Sequence, residues 1–308
     1  MINKANGEGM KQKDQKSEIY LSIIVPFKNE EARLEITVNK ILDYITKHQS
    51  KIQLILADSH STDRSLVIAK SYARKFEYIE YTEPKDQRKG KGQAVQDGIE
   101  ASIGQYILFM DADSSTEISE VDKLLPFIKQ NEIVMGSRYI KKPQLYQENY
   151  IKALSRGLKS LVEVIVIGHS KDYMAKGKQG RLRQFISRGG NLAFSALLNQ
   201  NYVDQRCGFK LYQAPIAKFL AGLQRIYDWG FDTEYLAIAQ KYKFKTIEIP
   251  VEWIDVVEGA RVKPVMDSIN SFSDIFKVQA NLIIGNYSKR KARQKLGPLF
   301  EEVIINRK

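Results

Sequence analysis

Two carboxylates one residue apart, Asp111 and Asp113, close the stretch YILFMDAD at 106–113, directly after five residues suited to a buried strand. Such a pair repels itself and loses hydration wherever the strand end is covered. A hard divalent cation, Mg²⁺ or Mn²⁺, shared by both would remove that cost. These ions complete their coordination with water and phosphate oxygens, so an open two-carboxylate site implies a phosphorylated ligand such as a diphosphate. Upstream, RKGKGQA at 88–94 offers cations and two glycines just ahead of a predicted helix N-terminus, a fit for phosphate oxygens. Asp58 and Glu30 stand where two further strands end and could accept hydrogen bonds from a ribose or a base. Asp58 taken alone also fits a turn or a helix cap. A lone D-x-D carries little information, and a lone G-x-G less.

Bringing these groups together requires a particular arrangement of elements. Strand-like runs at 21–26, 52–58, 78–81, 106–110 and 132–136 alternate with helical patterns. Leu34, Val38, Ile41, Leu42 and Ile45 recur at helical spacing; a second helix within 61–76 follows Ser and Asp cap candidates; others are expected near 94–102 and 118–130. The alternation predicts an α/β fold over 19–140, a mostly parallel sheet with helices on both faces. Ligands of such sheets sit at the C-terminal strand ends. Asn29, Glu30, Asp58, Asp111 and Asp113 all fall there. Further on, CGFKLYQ at 207–213 reads as a strand at a buried site, 231–242 as a helix and 245–253 as a strand. A last amphipathic helix is expected around 265–287.

Composition excludes several classes. The chain has 308 residues and 43% hydrophobic content, enough for one large domain or a domain with an appendage. A single cysteine, Cys207, rules out a disulfide framework within the chain and fits a reducing compartment; with no His or second Cys nearby it reads as a packing residue. The three histidines show no zinc spacing. Residues 1–18 are polar without the apolar core of a signal peptide and are expected to form a disordered leader. The longest apolar candidate, LKSLVEVIVIG at 158–168, carries Lys159 and Glu163 and falls well short of the roughly 20 residues that cross a bilayer.

Net charge is +12, and between residues 141 and 190 there are 11 Lys and Arg against 3 Asp and Glu, a local balance of 11 − 3 = +8. A second cluster, SKRKARQK, follows at 288–295. Both suit an anionic partner such as lipid headgroups or phosphorylated ligands, although a solvated basic face is the plainer alternative. No nucleic-acid reader module is recognisable, so nucleic acid is not an expected partner. Two stretches, LSRGLKSLVEVIV at 154–166 and ISRGGNLAFSALL at 186–198, set a basic turn before an apolar helix. That pattern suits a membrane interface, or equally surface helices packed on the core. Trp229 and Trp253 could stack on a sugar, line a lipid groove or pack in the core.

The order SIIVPFKNEE, LILADSHSTDRS, GKGQAVQDGI, YILFMDAD, VMGSRY, DQRCGFKLY, WGFDTEYL and IEIPVEW resembles family 2 glycosyltransferases of GT-A fold. Within the family it looks most like the branch that moves a sugar from a nucleotide to dolichyl or another polyprenyl phosphate. The resemblance covers roughly 19–265 and implies a GT-A domain there: a nucleotide-sugar half at 19–140, a basic insert at 141–190 that suits a membrane interface, and an acceptor half at 191–265, followed by an amphipathic helix and basic tail at 266–308. Carried over by position, it places Pro26, Asn29, Glu30, Asp58, Lys91, Gly92 and Asp111 around the nucleotide, with Asp113, beside Asp111, on the metal. Gly136, Ser137 and Arg138 match the G-S-R after the metal strand. Asp204, Gly208, Phe209 and Lys210 match an element of the glucosyl-transferring members.

Two positions depart from the pattern. Ser115 stands where mannosyl-transferring members carry Gln, and DSHS at 58–61 replaces a common Asp-Gly. The implied activity is inverting, metal-dependent transfer of a hexose, glucose favoured and from UDP-glucose, to a polyprenyl phosphate. A lipid phosphate is already anionic and needs a cationic cradle, for which Arg138, Arg188, Arg206 and Lys210 are candidates. A sugar hydroxyl would need a base, Asp204 or Asp232. Asp204 also fits a turn, and Glu234 a helix surface charge. The alternatives are a soluble enzyme acting on a polysaccharide or protein hydroxyl, and a non-catalytic nucleotide-sugar or phospholipid binding module. Keeping both Asp111 and Asp113 speaks against the module. A cytoplasmic location, peripheral on an anionic membrane face, is expected.

Overall fold

Seven successive buried residues form β1 (Leu21–Phe27), and seven more form β2 (Ile52–Asp58). Runs buried on both faces are what a parallel sheet sandwiched between helices requires. The computed structural model describes residues 19–48, 51–84, 90–145, 175–176, 198, 202–254 and 264–307, the side chains of 175–176 and 264–272 excepted. The leader at 1–18, Arg88, Arg188 and nearly all of the basic insert beyond 145 lie outside the described residues, as do the two Ser-Arg-Gly stretches apart from Leu198.

Between these strands lies α1 (Leu34–His48), and after them come α2 (Ser65–Lys75), β3 (Ile79–Thr82), α3 (Lys91–Ala101), β4 (Tyr106–Met110), α4 (Val121–Ile128), β5 (Ile133–Ser137) and the two-residue β6 (Gln144–Leu145). A minor strand β7 (Ala175–Lys176) precedes β8 (Phe209–Gln213), α5 (Ala214–Leu223), α6 (Phe231–Lys241), β9 (Thr246–Pro250) and β10 (Trp253–Ile254). The C-terminal part carries α7 (Pro264–Ile283), α8 (Lys289–Leu296) and short helical turns to 305. The run at 245–253, expected as one strand, breaks after Pro250, and its last piece pairs with β7 instead of the main sheet.

Among the described residues the main sheet has eight strands in the order β3-β2-β1-β4-β8-β5-β9-β6. β1 to β4 are mutually parallel, as are β5 and β9, while β8 runs antiparallel to β4 and β5, and β6 antiparallel to β9. The reversal of β8 decides where the site can form. Because Phe209 pairs with Met110, the residues that lead into β8 arrive at the same edge where β1, β2, β4 and β5 end. Side chains alternate between two apolar layers: Leu21, Ile23, Val25 and Phe27 enter one core, and Ile24 enters the other with Phe109, Phe219 and Tyr235. Helices α1 and α4 cover the first face, α3, α5 and α6 the second.

Candidate active site

Each group that the sequence singled out at a strand end is fixed by a neighbouring loop. After β1 the chain turns through Asn29, held at φ 53°. Its Oδ1 accepts the Thr62 N–H at 2.6 Å and its own N–H donates to Ser61 Oγ at 2.9 Å. Asn tolerates this left-handed conformation better than most residues do. Glu30 donates its backbone N–H to Ser65 Oγ at 2.6 Å, while its carboxylate pairs with Arg33. Asp58 is buried and accepts the Ser61 N–H at 3.1 Å. The DSHS departure thus forms a closed turn, with His60 at φ 58°, stitched to the loop after β1. Pro26 lies within β1, paired with Ala57.

At the end of β4, Asp111 and Asp113 stand together and Lys91, the first residue of α3, reaches them. The Lys91 ammonium forms an ion pair with Asp111 Oδ1 and lies 4.9 Å from the Phe109 ring centroid and 5.0 Å from that of Trp229. Burial works against its charge, but the Asp111, Asp232 and Asp113 carboxylates outweigh burial and raise its pKa. Asp113 accepts the Ser115 N–H at 2.9 Å, and Ser115 accepts the Ile254 N–H at 2.8 Å, which ties this turn to β10. Burial pushes the Asp113 carboxyl above its usual range and the Asp111 charge adds to that, with the Ser115 bond and Lys91 pulling the other way. An anion pair so incompletely compensated suits a hard divalent cation with coordination left for ligand oxygens. No group of three or more His, Cys, Asp or Glu that could hold a metal exists among the described residues, so any such ion would take the rest of its shell from ligand and water.

The structure gives the physical reason for a glycine at 208. A Cβ there would fall inside the Asp111 carboxylate, while its carbonyl accepts the Asp111 N–H at 3.0 Å. Gly92 is equally constrained, because a Cβ would meet the Phe231 side chain. Gly90, at φ 127° against the Tyr227 carbonyl, sets the entry to α3.

On the far side of the same edge Arg138, after β5, holds Asp204 through a two-pronged ion pair, Nε to Oδ2 at 2.8 Å and Nη2 to Oδ1 at 2.7 Å. The Arg138 backbone N–H adds a third bond at 2.9 Å. Burial opposes the guanidinium charge, but Asp204 more than offsets it and keeps the pKa above its ordinary value. The Trp253 ring centroid lies 5.3 Å from the guanidinium and Trp253 is buried, whereas Trp229 is 53% exposed beside Lys91. Asp204 and Val203 donate their N–H groups to Glu248, a fully buried carboxylate in β9 that burial pushes up to about 7. Glu248 escaped the sequence reading. Its signal was a charge inside the apolar run TIEIP.

Lys210 is fully enclosed, donating to the Cys207 carbonyl at 2.6 Å and to Asp232 Oδ1 at 2.8 Å. As placed, it cannot touch a phosphate at the surface and serves instead to hold Asp232, a correction to its expected place in an acceptor cradle. Burial raises the Asp232 pKa, with Lys210 and Lys91 opposing. Arg206, two positions before Gly208, is exposed as a residue, yet burial around its guanidinium lowers its pKa and the Arg138 charge adds to that, with Asp232 opposing. Cys207 is buried, its thiol pushed up to about 12 by burial first and Asp204 second, as suits a packing residue. Glu234 corrects another reading. It is not a surface charge but fully buried, accepting N–H groups of Arg225 and Ile226 at 2.9 Å and the Tyr287 hydroxyl.

A mostly parallel sheet in which one reversed strand brings Gly208 against the Asp111 carboxylate is the GT-A architecture of glycosyltransferases. The solved glucosyl-3-phosphoglycerate synthase from Mycobacterium tuberculosis, in complex with Mn²⁺, UDP and glucosyl-3-phosphoglycerate, shares it at a TM-score of 0.56 and 16% identity, over 86% of this chain and 81% of that one. Mannosyl-3-phosphoglycerate synthase from Rubrobacter xylanophilus gives 0.56 at 13% identity, over 86% and 74%. Residues 22–214 match the model of glycosyl transferase family 2, and the chain belongs to that family. It is similar to the dolichyl-phosphate beta-glucosyltransferase of Dictyostelium discoideum, 28% identical over 87% of this chain and 76% of the relative. A Trichomonas vaginalis protein of the same description is 30% identical over 80% and 69%, and the Homo sapiens one 28% over 89% and 79%.

Proposed function

We propose that this glycosyltransferase moves glucose from UDP-glucose to a polyprenyl phosphate of the dolichyl type, inverting the anomeric centre in a single displacement. Relatives bearing that description over most of both chains support the reading. The observation that carries it is the state of the two candidate bases. Asp204 is held on two prongs by Arg138, and Asp232 is held by Lys210, so neither stands ready to take a proton from a sugar hydroxyl. A phosphate acceptor needs no such base.

In this reading the 19–140 half holds the donor and 191–265 the acceptor. Asn29, Glu30 and Asp58 shape the base and ribose side through their stitched loops. Asp113, with Asp111, would hold Mg²⁺ or Mn²⁺, which when bound stabilises negative charge on the leaving diphosphate. Lys91 positions Asp111 and presents its ammonium to the same phosphates. Arg138, fixed in orientation by Asp204, and Arg206, which feels the Arg138 and Asp232 charges, attract the acceptor phosphate. The chain works as a peripheral protein against a membrane that holds its acceptor, on the cytoplasmic side; among the described residues no helix is long and apolar enough to cross one.

The test is glucosyl transfer from UDP-glucose to a short, water-soluble prenyl phosphate. Chelation should stop turnover, and either Mg²⁺ or Mn²⁺ should restore it. Asp113→Ala should cut kcat by about 100-fold or more with little change in melting temperature. Transfer that persists in chelator, or in Asp113→Ala, refutes the metal-site reading; a preference for a sugar hydroxyl acceptor refutes the phosphate one.

A further inference from the structure

The C-terminal elements beyond residue 264 carry a surface that catalysis does not explain. Helix α7 buries Ile275 and Val278 against α6 and turns the opposite way at Phe276, Ala280 and Ile283. These three, with Ile284 just past the helix end, stand at i, i+4, i+7 and i+8, so they form one stripe along the helix. The stripe is exposed: Phe276 by 61%, Ile283 by 76% and Ile284 by 67%. Large apolar residues aligned on one exposed face differ from the scattered single ones that any surface shows.

The chain then turns a corner at 284–288 into α8. Of the eight residues at 288–295, five are Lys or Arg and none is acidic. The helix lies against the protein through Ala292, and Lys289 and Arg290 are exposed. Lys291 reaches back to the corner, donating to Asn286 Oδ1 at 2.9 Å, and Asn286 in turn donates to Asn281 on α7 at 2.6 Å. These bonds fix the basic helix next to the end of the apolar stripe, and their acceptors are neutral. Beside α8 runs a groove of about 480 Å³ lined by Lys289, Arg290, Arg293 and Gln294 together with the apolar Phe300 and Ile305. Arg293 is partly neutralised by Glu301 at 2.8 Å, so the cationic edge rests on Lys289, Arg290 and Lys291.

We propose that this surface, the stripe Phe276–Ile283–Ile284 with the cationic edge of α8 and its groove, docks the protein on an anionic lipid bilayer. Aligned apolar side chains insert between headgroups while adjacent Lys and Arg meet their phosphates, which is how an interfacial helix binds. Charge complementarity selects the occupant. A second copy of this chain, whose net charge is +12, or a neutral peptide would cover the stripe without answering the cationic edge, whereas a leaflet rich in phosphatidylserine answers both. The inference goes beyond the proposed glucosyl transfer by assigning the contact to α7 and α8 rather than to the basic insert, and rests on that reading only for its purpose.

The experiment is co-sedimentation of the full chain with phosphatidylcholine vesicles and with phosphatidylcholine–phosphatidylserine vesicles, at low and high salt. Two variants accompany it, Ile283→Ser with Ile284→Ser and Lys289→Glu with Arg290→Glu. Binding should favour the anionic vesicles, weaken with salt because such attraction is screened over roughly 8 Å at physiological ionic strength, and fall by about tenfold or more in each variant. Turnover of the short soluble prenyl phosphate should stay unchanged in both variants, as the altered residues are exposed and distant in sequence from the site. Equal binding to neutral and anionic vesicles, or wild-type binding in both variants, overturns the proposal. So does a dimer that the Ser variant dissociates while vesicle binding persists, which would make the stripe an interface between copies. Loss of soluble-acceptor turnover by the wild type would count against the glucosyl-transfer reading alone.

Discussion

At the scale of single residues the site is built by what is left out as much as by charge. Gly208 has no side chain, and the Asp111 carboxylate occupies the space where one would begin. Gly208→Ala must therefore displace Asp111, and with it the Lys91 pairing, at the centre of the candidate diphosphate site. Turnover should fall by about 100-fold, equivalent to roughly 2.7 kcal/mol, while overpacking costs stability about 1–3 kcal/mol. Gly104 supplies the contrast. A Cβ there would meet the Ser22 backbone near the start of β4, at the opposite edge of the sheet. Gly104→Ala should lower the melting temperature and leave kcat per folded molecule unchanged, so kinetics and melting of the two variants separate a site effect from a packing one. The sequence exposed Asp111 and Asp113 because two acids after YILFM have no structural use. It did not expose the partners. That Arg138 meets Asp204 across 66 positions depends on the reversal of β8, and that Lys91 meets Asp111 depends on α3 starting at the edge where β4 ends; no local pattern encodes either.

At the scale of elements, β1 to β5 and the helices among them were readable from alternation and periodicity to within a residue or a few, because continuous apolar runs and helical repeats report directly which face is buried. The reading failed where a charge lies inside. Glu234 in the first turn of α6 looked like a surface residue, yet it gathers two backbone N–H groups from the loop that carries Trp229, together with the Tyr287 hydroxyl from beyond α7. Burial pushes both Glu234 and Glu248 up to about 7. Between the ordinary carboxylate value, about 4.3, and 7, the folded protein binds more protons at these groups than the unfolded chain does. Their contribution to stability is thus full at low pH and is lost as pH rises through 7. Melts at pH 5, 6, 7 and 8 should show this decline, and Glu234→Gln, which cannot titrate, should show a smaller one. An unchanged slope in the variant would remove Glu234 as its source. Tyr287→Phe takes away a bond to a buried, ionisable acceptor and should cost about 1.5–3 kcal/mol.

At the scale of the whole molecule, the buried core extends beyond the segment matched by the family, 22–214. The larger core cluster runs on through Phe231, Tyr235 and Tyr242 to Tyr287, Ala292, Phe300 and Val303, all buried. Helix α8 packs on α5, and Phe300 lies among Phe219, whose ring is 6.3 Å away, and the cationic face of Arg293. The sequence anticipated α7 as amphipathic but left the region after it as a basic tail, because α8 is dominated by Lys and Arg and buries little more than Ala292. Burial there comes from a few residues set between charges, a pattern too sparse to stand out by periodicity. The C-terminal arm should accordingly behave as part of the core. Phe300→Ala should destabilise by about 3–5 kcal/mol, the range for emptying a packed aromatic site. The denaturant slope should hardly change, since the same surface is exposed on unfolding. Ending the chain at residue 284 removes Tyr287 and the Glu234 bond as well as Phe300 and Val303, and opens the face of α5 to water. Such a chain should lose cooperative melting, and a truncated protein that still melts in one sharp transition near the wild-type temperature would show that the arm is an accessory after all.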